Sequence, residues 1–241
     1  MSEFIQSKDN AKIKEAYKAK DGKGESFLVE GFHLVEMALK ANAVTMIFAL
    51  KDYPTEVPTY LVTPEIIAKL SSTVSPEGIV ALCHKVPAKT PANPRLLYLD
   101  EVRDPGNVGT LLRTALAFGF HDVILSKGSA EAYASKVLLA SQGAIFGLNL
   151  LESAKSPEED VKDLKARGYR VVATSLKASV PPEEIKTLDC PLCLILGNEA
   201  RGVDESLLAL ADQNVRIPMG GIDSLNVAIA GGILMYLLSR K

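Results

Sequence analysis

The chain has 241 residues, 47% of them hydrophobic, and a formal net charge of −2. That length admits one large domain or two ordinary ones, and the apolar share excludes a disordered chain. The near-neutral charge offers no bulk attraction to nucleic acid, and no apolar run reaches the ~18 residues of a membrane span.

In chain order, Met1 to Asn10 lacks the apolar core of a secretory signal, so a cytoplasmic protein is the expectation. Lys8 to Lys20 reads as a polar, solvated helix whose lysines alternate with acids. Phe27 to Gly31 reads as a short strand ending in Gly, and Phe32 to Ala41 as a helix with Phe32, Val35, Met37 and Leu39 at helical spacing. Met46 to Leu50, Tyr60 to Val62 and Ile79 to Cys83 read as further strands, which makes the first segment a small α/β unit. Residues 86–95 hold three prolines in Val-Pro-Ala-Lys-Thr-Pro-Ala-Asn-Pro-Arg, the mark of an extended linker. The boundaries that follow are 1–88, a linker at 89–95, and 96–241.

The second segment alternates. Strands are expected at Leu96–Val102, Val123–Ser126, Ala144–Leu150, Arg170–Thr174, Leu192–Leu196 and Asn214–Ile217. Helices are expected at Val108–Phe118, Ala130–Ala140, Pro157–Ala166, Asp204–Ala211 and Ser224–Leu238. Continuous apolar strands alternating with helices predict a mostly parallel sheet buried on both faces. The lone Cys190-Pro-Leu-Cys193 lacks a second ligand pair and runs into a strand, so packing is its simplest reading. His33, His84 and His121 have no partner at metal spacing, and no metal is expected.

Three polar clusters stand where apolar strands end: Asp104-Pro-Gly-Asn-Val-Gly-Thr-Leu-Leu-Arg113, Gly197-Asn-Glu-Ala-Arg-Gly202 and Ile217-Pro-Met-Gly-Gly-Ile-Asp-Ser-Leu-Asn226. Ligand sites of open α/β sheets lie at carboxyl strand ends, so the clusters predict one shared site. Asp-Pro-Gly-Asn is a turn followed by a helix start, which favours anions. Asn107 and Arg113 are expected to point to that mouth. Gly197 permits close backbone approach of a ligand, and Glu199 with Arg201 is either part of the site or a surface ion pair. Ser224 is a good N-cap for a helix starting at Leu225, which leaves Asn226 without a capping explanation. Neither a dinucleotide G-x-G-x-x-G nor a phosphate-binding G-x-x-x-x-G-K-[ST] follows any strand.

These clusters closely resemble motifs 1, 2 and 3 of the SpoU (TrmH-type) RNA ribose 2′-O-methyltransferases of the SPOUT superfamily. The matching residues are Asp104-Pro-x-Asn107-x-Gly109-x-x-x-Arg113, Gly197-Asn-Glu199-x-x-Gly202, and Ile217-Pro-Met219 with Ser224-Leu-Asn226-Val-Ala228. More loosely, Asn10-x-x-Ile13-Lys14 and Phe27-Leu-Val-Glu30-Gly31 resemble the substrate-binding domain of two-domain members. The resemblance implies an α/β fold with a C-terminal trefoil knot, a small N-terminal α/β RNA-binding domain, a homodimer, and S-adenosylmethionine as cofactor. It implies cofactor contacts at Thr174, Ser175, Leu196, Gly197, Ile217, Met219 and Leu225, and catalytic positions at Arg113, Asn107, Glu199, Ser224 and Asn226. RNA contacts would come from Asn10, Lys12, Lys14, Glu30 and Arg113, with lysines adding salt-dependent phosphate affinity. The family assigns activation of the ribose hydroxyl to the motif 1 arginine. A guanidinium is a poor base, so Arg113 can instead grip phosphate and ribose bidentately. The expected substrate is rRNA ahead of tRNA. A non-catalytic RNA-binding assembly protein of the same fold is the alternative, disfavoured because all five site residues are present together.

Overall fold

The computed structural model describes residues 3–177, 179–185 and 190–240. The first half supplies strands β1 (Glu3–Ile5), β2 (Ser26–Glu30), β3 (Val44–Ala49), β4 (Thr59–Val62) and β5 (Ile79–His84), with helices α1 (Ala11–Lys18), α2 (Phe32–Lys40) and α3 (Pro64–Leu70). These strands form a mixed sheet in the order β1-β4-β3-β5-β2. Strand β1 and helix α3 add to the sequence expectation. Pro64 occupies the first helical turn, where its fixed φ and missing N–H cost nothing. Helix α1 starts at Ala11, because the Asn10 side chain accepts from the Lys12 amide and ends the preceding turn.

The second half supplies β6 (Arg95–Asp100), α4 (Pro105–Ala117), β7 (Asp122–Leu125), α5 (Ser135–Ser141), β8 (Asn149–Glu152), α6 (Pro157–Ala166), β9 (Arg170–Thr174), β10 (Leu192–Gly197), α7 (Glu205–Leu210), β11 (Gln213–Val215) and α8 (Val227–Ser239). All six strands run parallel, in the order β11-β9-β10-β6-β7-β8. Strand period two sorts β6 side chains. Leu96 and Tyr98 face the layer of α6 and α7, while Leu97 and Leu99 face the layer of α4, α5 and α8. The alternation explains why parallel strands read as unbroken apolar runs.

Several boundaries differ from expectation. Ala144–Gly147 is a 3-10 turn and only Asn149–Glu152 pairs as a strand, since an apolar run carries no period that separates the two. Helix α5 begins at Ser135, after a loop in which the Ala130 amide donates to Val102. Helix α8 begins at Val227 and is capped by Asn226, whose side chain accepts from the Ala228 and Ile229 amides, so Ser224 is not the cap. The proline-rich stretch is pinned along β7 and β8. The Asp122 carboxylate accepts from the Ala92 and Asn93 amides, and Asn149 accepts from Lys89.

One continuous core joins the halves: Phe27, Val29, Ile79 and Ala81 of the first sheet pack in the same cluster as Leu97, Leu99, Leu111 and Val137. The Phe27 ring lies 4.8 Å from Tyr133. Burial of this apolar surface sets the orientation of the first sheet against α5.

Candidate active site

Strand order reverses between β6 and β10. The chain leaves β6 for β7 and β8 on one side, then returns to β9 and β10 on the other. Such a switch point opens a crevice at the carboxyl ends of its two strands. The first cluster leaves β6 and the second leaves β10, so the crevice lies between them.

Side-chain bonds tie the three clusters together there. Asp104 caps α4, its Oδ1 accepting from the Asn107 amide at 2.8 Å. Glu199 Oε1 accepts from the Asp104 amide at 3.1 Å and from Asn107 Nδ2 at 3.0 Å, and its Oε2 accepts from the Arg103 amide at 3.3 Å. Asn226 Nδ2 donates to Asn107 Oδ1 at 2.9 Å. Asn107 therefore joins Glu199 to Asn226, linking residues separated by 92 and 119 positions. Partial burial pushes the Glu199 carboxyl up, but the Asn107 amide and the backbone N–H groups of Glu199, Asp104 and Arg103 outweigh it and hold the group below its ordinary value. Asp100, at the buried end of β6, is pushed up by burial, although the Asp204 amide bonds its carboxylate.

Sequence reasoning offers Arg201 as a partner for Glu199. The structure gives Glu199 to the first cluster, and Arg201 pairs instead with Glu101 at 2.5 Å. The backbone that Gly197 lets approach is the chain's own: a Cβ there would lie 2.1 Å from the Val203 nitrogen. This loop closes through paired backbone bonds between Asn198 and Gly202. Asn198 also donates to the Glu101 carbonyl, a role that no local pattern signals.

Arg113 stands apart from the Asn107 network. It is exposed on α4, in a stripe with Gly106, Thr110 and Ala117. Its Cα lies about 12 Å along the axis from the helix start. Ser224 is exposed in the loop before α8 and is not part of the network. In the first half, Asn10 caps α1, Lys12 lies 3.6 Å from Glu3 and 4.8 Å over the Tyr60 ring, and Lys14 pairs with Asp9 at 3.1 Å. Glu30 accepts from the Ser72 and Thr73 amides, which holds that loop.

The positions expected to hold the cofactor fall mainly at the ends of three neighbouring strands. Thr174 closes β9, Leu196 and Gly197 close β10, and Ile217 and Met219 follow β11, with β9 between the other two. Thr174 Oγ1 donates to the Ile195 carbonyl and Ser175 Oγ to the Lys177 carbonyl. Leu196 is buried, whereas Ile217, Met219 and Leu225 are partly exposed. Among the described residues, chain neighbours aside, no heavy atom lies within 4 Å of a Cβ built at Gly220 or Gly221. Apolar side chains alternating with main-chain polar groups beside an open glycine loop fit a ligand with a flat heterocycle and a polar tail. S-adenosylmethionine has that chemistry. Among the described residues no group of three His, Cys, Asp or Glu is placed to hold a metal. Cys193 lies buried in β10, where burial pushes its thiol up.

A parallel α/β sheet with a crevice at its switch point, taken with the family match of residues 94–236, defines an S-adenosylmethionine-dependent methyltransferase. Residues 94–236 match the profile of the SpoU rRNA methylase family, and residues 8–81 match that of the MRM3-like substrate binding domain. The chain belongs to the SpoU rRNA methylase family. It is 36% identical to the Bacillus subtilis (strain 168) 23S rRNA (guanosine(2553)-2′-O)-methyltransferase RlmP, over 97% of this chain and 98% of that protein. It is 30% identical to human mitochondrial rRNA methyltransferase 3, over 93% of this chain and 69% of that one. The crystal structure of an AdoMet-bound rRNA methyltransferase from Sinorhizobium meliloti superposes with a TM-score of 0.88 at 28% identity, covering 99% of this chain and 98% of that one.

Proposed function

We propose that the protein methylates the 2′ oxygen of a ribose in rRNA, with S-adenosylmethionine as donor. The observation that carries this reading is the Glu199–Asn107–Asn226 bridge, which joins all three motif loops at one crevice. The bound cofactor supplies an electrophilic methyl group. The chain's own residues must orient the ribose, hold the RNA backbone and aid loss of the hydroxyl proton. Asn107, fixed on both sides, keeps the start of α4 rigid. Arg113 presents a guanidinium suited to bidentate contact with phosphate and ribose, so that the phosphate can take part in removing the proton. A relative of this length named as a 23S rRNA 2′-O-methyltransferase supports the choice of substrate.

The finer architecture belongs to the same reading. Residues 1–88 select the RNA, 89–95 link, and 96–241 form the methyltransferase domain. A C-terminal trefoil knot agrees with the insertion of β10 between β9 and β6. A homodimer is favoured by the face of α8, where Ile229, Ile233 and Tyr236 are 56%, 37% and 44% exposed, beside the Arg113 stripe of the α4 helix it packs against. A second copy covering that face would bring a partner surface to Arg113 and complete the site. The protein would work in the cytoplasm.

The test is incubation with methyl-labelled S-adenosylmethionine and bulk rRNA or tRNA, followed by digestion to nucleosides. A labelled 2′-O-methyl nucleoside from rRNA is expected. Label confined to tRNA would redirect the substrate, and none from either would sink the reading. Arg113→Ala should abolish transfer and keep cofactor affinity; loss of cofactor binding in that variant would contradict its assigned role. Ile233→Glu should shift the protein to monomer in sedimentation, and an unchanged mass would argue against the α8 interface.

A further inference from the structure

The lip between the first two clusters carries a second polar arrangement that the Asn107 network does not use. Glu101 follows β6 with φ 51°, a left-handed conformation uncommon outside glycine. Its amide donates to Ser126 Oγ at 2.9 Å and its carbonyl accepts from Asn198 Nδ2 at 2.9 Å, so its backbone is held from both sides. Its Oε2 accepts from Arg103 Nη2 at 2.6 Å and from Arg201 Nη2 at 2.5 Å. One carboxylate thus gathers two guanidinium groups, and the trio keeps one net positive charge.

The arginine main chains are fixed as well. The Arg103 amide donates to Glu199, and the Arg201 amide donates to Asn198 Oδ1 within the closed loop. The arginine side chains remain 63% and 65% exposed, while Glu101 is 32% exposed beneath them. Exposed ion pairs contribute only about 0–1 kcal/mol, so fold stability does not call for two cations on one oxygen. The two bound nitrogens lie within about 5 Å of each other, a span that one phosphate group can bridge with charge-assisted bonds of about 2.8 Å. Each guanidinium has five N–H donors, so one bond to Glu101 leaves further donors facing solvent.

We propose that Arg103 and Arg201, gathered by Glu101, form a binding site for a phosphodiester of the substrate RNA. Glu101 is the positioning residue. The inference rests on the RNA methyltransferase reading and adds a contact beyond the family motifs, at residues immediately flanking Asp104 and following Glu199. It places the RNA strand across the β6–β10 crevice.

The experiment measures equilibrium binding of bulk rRNA to the full-length protein across a salt series, with melting temperature and S-adenosylmethionine affinity as controls. Arg103→Ala and Arg201→Ala should each reduce the slope of log affinity against log salt by about 0.7, the value for one lost phosphate contact on a single strand. The double variant should lose about twice that, with cofactor affinity and melting temperature unchanged, and Arg103→Lys/Arg201→Lys should restore the slope. If the alanine pair fails to fold, Arg201→Gln, which leaves Arg103 bound to Glu101, carries the same comparison. An unchanged slope in a folded variant overturns the proposal. Methyl transfer by the unaltered protein is scored separately. Transfer with an unchanged slope defeats the phosphate site alone. A reduced slope without transfer to any RNA defeats the enzyme reading and leaves the site standing.

Discussion

Exchanging Glu199 for Gln changes its volume little and removes the charge at the centre of the bridge. The carboxylate accepts three bonds, two at Oε1 and one at Oε2. In Glu199→Gln the amide oxygen can keep the Asp104 and Asn107 donors, but the NH₂ group then faces the Arg103 N–H. Bonds to a charged group contribute ~1.5–3 kcal/mol and neutral ones ~0.5–1.5. At the low end, two bonds weakened by about 1 kcal/mol each and one lost at about 1.5 come to about 3.5 kcal/mol, which solvent screening at the exposed Glu199 reduces to about 2 kcal/mol. If that strain falls on the transition state, kcat/KM for RNA drops about 30-fold. S-adenosylmethionine affinity should hold, because among the described residues the donors to Glu199 are Arg103, Asp104 and Asn107, none of them in the loops after β9 or β11. The assay is methyl transfer under kcat/KM conditions beside cofactor titration. The pH profile adds a second constraint. The folded Glu199 carboxyl lies below its ordinary value, so its bonds are intact at neutral pH and are lost as pH falls through that depressed value. The advantage of the unaltered protein over Glu199→Gln should therefore persist at neutral pH and shrink only in acid. A variant within threefold of the unaltered rate, or one that loses cofactor binding in step with transfer, would refute the reasoning.

Asn226→Asp keeps a side chain that caps α8 well but cannot donate to Asn107; melting temperature should stay within about 2 °C while kcat/KM falls about tenfold, and a parallel loss of both would show that the bond to Asn107 serves stability and not the site. Ser224→Ala should leave the melting temperature unchanged, since Asn226 holds the cap; a drop of several degrees by calorimetry would restore Ser224 to that role. Gly109→Ala puts a Cβ 2.4 Å from Ala140 Cβ and 2.6 Å from the Val137 carbonyl, where α4 crosses α5. Overpacking there should cost about 3 kcal/mol and lower Tm by roughly 6–12 °C; an unchanged Tm would mean that the helices part freely.

Much of the second sheet is legible in the residues because its signals are local. Polar Asp-Pro-Gly-Asn and Gly-Asn-Glu after unbroken apolar runs mark strand ends, and Pro157–Ala166 opens on Ser156 and Glu159, which bond reciprocally in a capping box. The run from Ala144 to Leu150 misleads because apolar continuity is shared by a strand and a buried turn. Ser224 and Asn226 are both good caps two residues apart, and only the path of the chain into α8 chooses between them. Glu199 has an arginine two positions away in sequence, yet its partners are Asp104, Asn107 and Arg103, because β10 sits beside β6 in the sheet. The same adjacency hands Arg201 to Glu101, one hundred positions distant. Side-chain preferences along the chain thus determined the elements, the caps available and the motif types. Which polar groups meet was decided by strand order, since a hydrogen bond reaches about 3 Å and depends on where the fold brings the loops together.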